Sequence, residues 1–301
     1  MTIAIIGARG CVGNALIQKL LETTSHTIIA SYRRDEAIGI KHERVVWKRI
    51  NLYDDLGTEE FLRGADVAVY LVHSLVSARF ASLDRAFAFR TGKCARVAGV
   101  KKIIYLGGVV PQHERLSVHL KSRREVGEQL ARAGVPVAEI RASIILATCS
   151  ASYRMIYWLS RRLPVIMMPK WGKAACSPIA LTDVVDALTV LIDRTVDGHE
   201  IFEIGAARMT YEKLLMQNGE IVRGKKNRIV HIAPFPIGLI SWGVHNVTGV
   251  PWHIAMALIK SLRNDSVPTH DCFQELTGRT QQAIAETLAT LAKEMEANAS
   301  K

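Results

Sequence analysis

TIAIIGARGCVGNALIQKL, residues 2–20, decides how the rest of the chain is read. Ile3, Ala4, Ile5 and Ile6 form a short apolar run of the kind a buried strand needs. The run breaks into Gly7, Gly10 and Gly13, after which Val12, Ala15, Leu16 and Leu20 share one helical face. Each glycine has its own physical task. One turns the chain off the strand, one lets the backbone approach a pyrophosphate with no Cβ in the way, and one lets the helix lie close to the sheet. The helix start then offers unpaired N–H groups and the positive end of its dipole to phosphate. Between a strand and a helix, this trio predicts a dinucleotide cradle made of Gly7, Ala8, Arg9, Gly10, Cys11, Val12 and Gly13. The plain alternative is a tight strand-to-helix turn without a ligand.

Working outward, the apolar runs predict strands at Thr27–Ser31, Val45–Val46, Asp66–Val72, Lys102–Leu106 and Val137–Leu146. Helical periodicity marks Arg79–Val97, with Phe80, Leu83, Phe87, Cys94 and Val97 in step, and Lys121–Ala133. Unbroken apolar strands alternating with amphipathic helices mean a doubly wound parallel sheet, an α/β Rossmann fold, with the ligand outside the carboxyl ends of the strands. That rule places Asn51, Leu52, Leu71, Val72, His73, Gly107 and Gly108 beside the ligand. After about Ser150 the alternation fails. Helices are expected at Tyr153–Arg162, Asp183–Asp193, Tyr211–Arg223 and Gln281–Met295, a strand at Glu200–Ile204, and a loop at Pro169, Trp171 and Pro178. The expected organisation is a cofactor-binding domain over 1–150, with 177–195 packing back onto it. Residues 151–301 then form a smaller substrate-binding lid, packed by Trp171, Trp242 and Trp252, with a small-molecule site in the cleft between.

Composition bounds the rest. A chain of 301 residues with 49% hydrophobic and 22% charged residues supports a sizeable core. The N-terminus enters a strand at once, which leaves no room for a leader peptide and suggests a cytoplasmic protein. The apolar stretch 229–259 is broken by Pro234, Pro236, His245, Asn246, Pro251 and His253, so no membrane span of about 20 residues is expected. The five cysteines show no CxxC pairing and read as reduced thiols, and the ten histidines show no metal-ligand spacing. The net charge of +11 comes in scattered clusters without interleaved aromatic residues, which argues against nucleic acid. Asp54, Asp55, Glu59 and Glu60 sit where caps and the helix dipole account for them.

At the end of the second strand, where an acid would bond a ribose 2′-hydroxyl, stand Tyr32, Arg33 and Arg34. Guanidinium groups there suit a 2′-phosphate, and Arg9 adds a second positive charge, so NADP(H) is favoured over NAD(H). The alternative is that both arginines merely face solvent.

These motifs resemble a family, the short-chain dehydrogenase/reductases in their atypical and extended forms. GARGCVG (7–13) is similar to its GxxGxxG, and VYLVHS (69–74), KKIIYLGG (101–108) and EIRASII (139–145) fall where the family has its strand ends. The runs at 116–130, 150–171 and 177–188 resemble a bacterial branch labelled as oxidoreductases or nucleoside-diphosphate-sugar epimerases. The resemblance implies a catalytic tyrosine, a lysine four residues later, and a hydroxyl near the end of the fifth strand. Here the chain departs from the pattern. No tyrosine occurs between Gly107 and Ser152, and His119 and Arg123 stand in place of the pair. The hydroxyl position falls on Gly107 and Gly108. His119, with an ordinary pKa of about 6.5, is expected to donate the proton. Arg123 is expected to bond the nicotinamide ribose, with His73 and Ser74 as cofactor walls. The alternative is that His119 and Arg123 only anchor a loop. The leading expectation is an NADP(H)-binding reductase of a small organic substrate, and a homodimer is compatible with it. A non-catalytic NADP(H) sensor or scaffold is the second expectation. An epimerase of nucleotide sugars is the third, and the missing tyrosine and lysine count against it.

Overall fold

Strand β1 (Thr2–Ile6) runs through the middle of a seven-stranded sheet and divides its two faces. Its side chains alternate as strand geometry requires. Ile3 and Ile5 join one buried cluster, with Leu16, Ile17 and Leu20 of helix α1 (Cys11–Thr23). Ala4 and Ile6 join the opposite cluster, with Phe61, Phe87 and Val126. Covered on both sides, the strand has no use for polar residues, and the sequence supplies none after the half-buried Thr2 at its start.

The protein is seen here as a computed structural model that describes residues 1–33, 39–74, 77, 79–111, 116–233 and 235–299; at Lys170, Trp171 and Ala299 only the backbone is described. After α1 come β2 (Thr27–Tyr32), β3 (Val45–Arg49), α2 (Asp55–Leu62), β4 (Val67–Tyr70), α3 (Phe80–Val97), β5 (Lys102–Gly108), α4 (Val118–Ala131) and β6 (Val137–Ala142). Asp54 caps α2, accepting from the N–H groups of Leu56 and Gly57. The second half holds β7 (Ile145–Leu146), α5 (Ala151–Arg162), β8 (Val165–Pro169), β9 (Ala175–Cys176), β10 (Ile179–Ala180), α6 (Leu181–Asp193) and β11 (His199–Ile204). It ends with β12 (Met209–Thr210), α7 (Tyr211–Arg223), β13 (Arg228–Ile232), α8 (Ile237–Thr248), α9 (Trp252–Ser261), α10 (Phe273–Thr277) and α11 (Ile284–Ala299).

The sheet order is β11-β6-β5-β4-β1-β2-β3, and every pairing is parallel. This is the doubly wound Rossmann arrangement expected from the sequence, with its ligand crevice at the carboxyl ends. Three details differ from expectation. The predicted sixth strand divides at Ser143 and Ile144, so that β7 leaves the sheet and pairs with β10. The strand at 199–204, expected in the lid, is instead the sheet's edge, paired with β6. Trp242 and Trp252 are 62% and 42% exposed, so they do not pack a lid interior.

The remaining elements form two further cores. One joins α5, α7 and α11 around Tyr153, Tyr157, Leu214 and Leu288. The other joins α5, α8 and α9 around Met155, Val250 and Ile259. Among the described residues no helix is long and apolar enough to cross a membrane.

Candidate cofactor and substrate site

The turn between β1 and α1 is built as the three glycines predict. Gly7 has φ +95°, a left-handed conformation, and a Cβ there would come within 3.2 Å of the Leu71 backbone. A Cβ on Gly13 would lie 2.5 Å from the Gly7 carbonyl oxygen and 2.8 Å from Ala8 Cα, so only glycine lets the helix seat against the turn. Gly10 caps α1 without any side-chain bond, leaving the helix-start N–H groups for a ligand. Ser31, at the end of β2, fixes the loop by accepting from Gly7 N at 2.8 Å. The sequence reading overlooked it.

Around this cradle the expected residues divide. Arg9 and Arg33 are exposed, and Arg34 lies outside the described residues. Asn51 is exposed and accepts from Tyr53 N, which makes it a local turn former. Leu52 is buried among the core residues, and its carbonyl accepts from Arg90, so its side chain faces away from the crevice. Ala8 is buried and Val12 packs against the core, so they offer only backbone. Cys11 corrects the expectation of reduced thiols. It forms a disulfide with Cys149, 138 residues away, while Cys94, Cys176 and Cys272 are free. The pairing joins the glycine turn to the residues just before α5, a proximity that only the fold creates.

At the ends of β4 and β5 a second cluster assembles. Asp84, fully buried on α3, accepts from Ser74 N at 2.9 Å and lies 3.3 Å from His73 Nδ1 and 3.5 Å from Arg123 Nη2. Arg123 Nη2 also donates to Val72 O, and Tyr105 OH donates to Arg123 O, so the guanidinium is held at the crevice floor. Gly108 belongs beside it, because a Cβ there would come within 3.9 Å of Arg123 Cγ. The rings of His73 and His119 stack with centroids 5.0 Å apart. His73 Nε2, His119 Nδ1 and Arg123 Nε are buried and have no partner among the described residues. Three orphaned polar atoms at one spot are what a missing polar ligand leaves behind.

Burial would raise the Asp84 carboxyl, but the bonds from His73 and Ser74 and the Arg123 charge outweigh it and hold it ionised. With Asp84 charged, His73 carries its proton on Nδ1 and turns Nε2 into an acceptor. Burial and the Arg123 charge push His73 down to about 4. Burial, His73 and Arg123 push His119 down to about 3. His119 is therefore neutral at pH 7, and the expectation of an ordinary pKa is corrected. A charged imidazolium is not available there as an acid. An unfolded chain takes up protons on both histidines near pH 6.5, whereas the folded one does so only below about 4. Stability is thus fully present above about pH 7 and falls as the pH drops through 6.5, by about 1–2 kcal/mol per histidine at pH 5. Asp84 adds a further loss only below about pH 4, the unfolded carboxyl value. Urea unfolding at pH 7.5 and pH 5 measures this, and His119→Phe should flatten the profile. Equal midpoints at the two pH values contradict the assignment.

The crevice opens into a cavity of about 1030 Å³ that runs from His73, Gly107 and Arg123 to Met167, Leu214 and Phe235. Its wall is mostly aliphatic and aromatic. Arg123, already engaged with Asp84, is the only Lys or Arg lining it among the described residues. A hydrogen-bonded polar group interrupts the wall, apart from the lining serines Ser150, Ser152 and Ser261. Tyr211 OH is 3.2 Å from Ser266 Oγ, which is 2.9 Å from Ser143 Oγ, and all three residues line the cavity. Sequence reasoning named none of these and missed Asp84. Asp84 left a trace, an acid four residues after Phe80 and three before Phe87 on the buried stripe of α3. Away from the crevice, His270, Cys272 and Glu275 bring ligand-type atoms within 4.8 Å of one another, a grouping the sequence reading did not anticipate.

No protein-family model matches the chain, and no curated protein matches it in sequence. Solved structures do match in shape. The triphenylmethane reductase of Citrobacter sp., complexed with NADP(H), superposes with a TM-score of 0.79 at 19% identity, covering 97% of this chain and 100% of that one. A nucleoside-diphosphate-sugar epimerase from Staphylococcus aureus gives 0.77 at 13% identity, over 96% and 100%. An NADPH-dependent quinone oxidoreductase from Escherichia coli gives 0.73 at 16% identity, over 96% and 99%. At these identities the likeness is one of fold, the doubly wound Rossmann architecture.

Proposed function

We propose that this chain is an NADP(H)-dependent reductase of a bulky, mainly apolar organic molecule. The observation that carries the proposal is the apolar cavity meeting three orphaned polar atoms, on His73, His119 and Arg123, at the ends of β4 and β5. The glycine cradle, with its uncapped helix start, fits a pyrophosphate. The neighbours named for NADP(H) or NADPH support the cofactor class, and Arg9 and Arg33 supply exposed charge for a 2′-phosphate.

NADP(H), when bound, supplies or takes up a hydride. The rest falls to the chain. Arg123, braced by Asp84 and Val72, offers Nε to a ribose hydroxyl, and His73 offers Nε2 as an acceptor. Neutral His119 acts as a hydrogen-bonding wall, not as a charged acid. The cavity excludes water, and the Tyr211–Ser266–Ser143 hydroxyls bond an oxygen of the substrate. The cavity wall also favours this reading over epimerisation. A nucleotide sugar carries a diphosphate that needs cations, and among the described residues the lining offers only Arg123, which already faces Asp84.

The test is fluorescence titration with NADPH and NADH, then NADPH oxidation against quinones and triphenylmethane dyes, with epimerisation of UDP-glucose followed by product analysis. NADPH is expected to bind at least about tenfold more tightly than NADH, with the preference lost in Arg33→Ala. Turnover is expected with apolar acceptors only, and lost in Arg123→Ala. Turnover that survives both His119→Ala and Arg123→Ala removes the proposed site. Absence of binding by either cofactor removes the enzyme.

A further inference from the structure

Two stretches of the chain contain no acidic residue at all. Residues 142–182 carry five lysines and arginines, and residues 221–264 carry six. Those eleven cations equal the net charge of the whole protein, +11, so the rest of the chain is balanced. The clusters look scattered along the sequence, but the fold joins the two stretches. β8 pairs with β13, and α5 packs on α8 and α9.

On this lobe α8 packs Ile237, Ile240 and Val244 against its core and yet leaves other large apolar residues in solvent. Ser241 and Thr248 are buried, each hydroxyl donating to a carbonyl one turn back at 2.7 Å. The large apolar residues Leu239 and Trp242 face outward, 54% and 62% exposed. Trp252, at the start of α9, donates through its indole N–H to Gly238 O at 3.3 Å and so flanks the same helix. Val165, Met167, Phe235 and Leu239 are exposed and also line the cavity, which makes this patch the rim of its mouth. Arg162 donates to Val247 O at that rim, its guanidinium 4.1 Å over the Trp158 ring. Lys225, Lys226, Arg228, Lys260 and Arg263, from the same stretches, are all exposed.

Contiguous exposed apolar side chains mark an interaction site, and tryptophan at the edge of an apolar patch suits the headgroup level of a bilayer. Arg161 is paired with Glu296 and Lys226 with Glu220, and the other exposed cations of these stretches add attraction to anionic lipid. A second copy of this chain fits less well, since it would set two faces of like charge together. We propose that this rim docks on an anionic lipid bilayer, seating Trp242, Trp252, Phe235, Leu239 and Met167 at the interface. The cavity then opens toward the hydrocarbon, and the substrate is an uncharged molecule dissolved in it. That last consequence rests on the reductase reading, but the docking does not.

Flotation of the full chain with vesicles of phosphatidylcholine, and of phosphatidylcholine with phosphatidylglycerol, tests the docking at low and high salt. Binding is expected to the phosphatidylglycerol vesicles and to weaken with salt. Trp242→Ser/Trp252→Ser is expected to float at least about tenfold less, with its NADPH affinity unchanged. Failure to bind phosphatidylglycerol vesicles, equal binding to neutral vesicles, or undiminished flotation of the double variant each overturns the proposal. So does a concentration-dependent dimer that the double variant abolishes, because the rim then covers a second copy. Flotation without NADPH binding by the parent protein removes the reductase reading and leaves the docking standing.

Discussion

Arg123→Met is expected to lower folding stability by about 3–5 kcal/mol and to abolish tight NADPH binding. Asp84 is fully buried and ionised, and removing the guanidinium leaves that carboxylate, among the described residues, with only the Ser74 N–H and a neutral imidazole. The penalty of an uncompensated buried charge, rather than the worth of one ion pair, sets the size of the effect. Asp84→Leu in the same background removes the stranded charge. The double variant should therefore regain most of the stability and none of the cofactor affinity. Urea unfolding and NADPH titration separate the two effects. A single variant that unfolds at the parent midpoint shows that Asp84 is not the anion Arg123 balances. A double variant that recovers cofactor binding shows that Arg123 never meets the ribose.

Breaking the Cys11–Cys149 disulfide is expected to cost about 3–5 kcal/mol. The bridge closes a loop of 138 residues, and chain-entropy arithmetic for so long a loop predicts about 5 kcal/mol before any compensation. The bridge also ties the glycine turn to the start of α5, so its loss should loosen that turn. Urea unfolding with and without dithiothreitol measures the cost. Cys11→Ser should unfold at the midpoint of the reduced parent and be indifferent to reductant. A parent midpoint that stays put after full reduction rules out this stabilisation.

Which features were legible in the sequence follows from how local they are. The Gly7, Gly10 and Gly13 spacing, the apolar run of β1 and the two-fold alternation into opposite cores all lie within a few residues of one another. Backbone sterics and strand geometry act at that range, so neighbouring residues alone carry the sheet class and the glycine turn. The absence of acids from 142–182 and 221–264 is equally plain in the sequence. Its meaning depended on β8 meeting β13 and on α8 presenting Trp242 to solvent.

The substrate end is a different case. Asp84 with His73 and Arg123, Cys11 with Cys149, and Tyr211 with Ser266 and Ser143 each join segments remote along the chain. Strand order brings them together, and no window of sequence contains strand order. The protonation of His119 belongs to the same class. Its ordinary pKa is a property of the residue, but the fall to about 3 is set by burial beside His73 and Arg123. The sequence by itself determined the Rossmann sheet and the glycine turn, because contiguous residues carry them. Only the tertiary structure decided the disulfide, the charge state of the site and the apolar shape of its cavity, because desolvation and long-range contact exist only once the chain is folded.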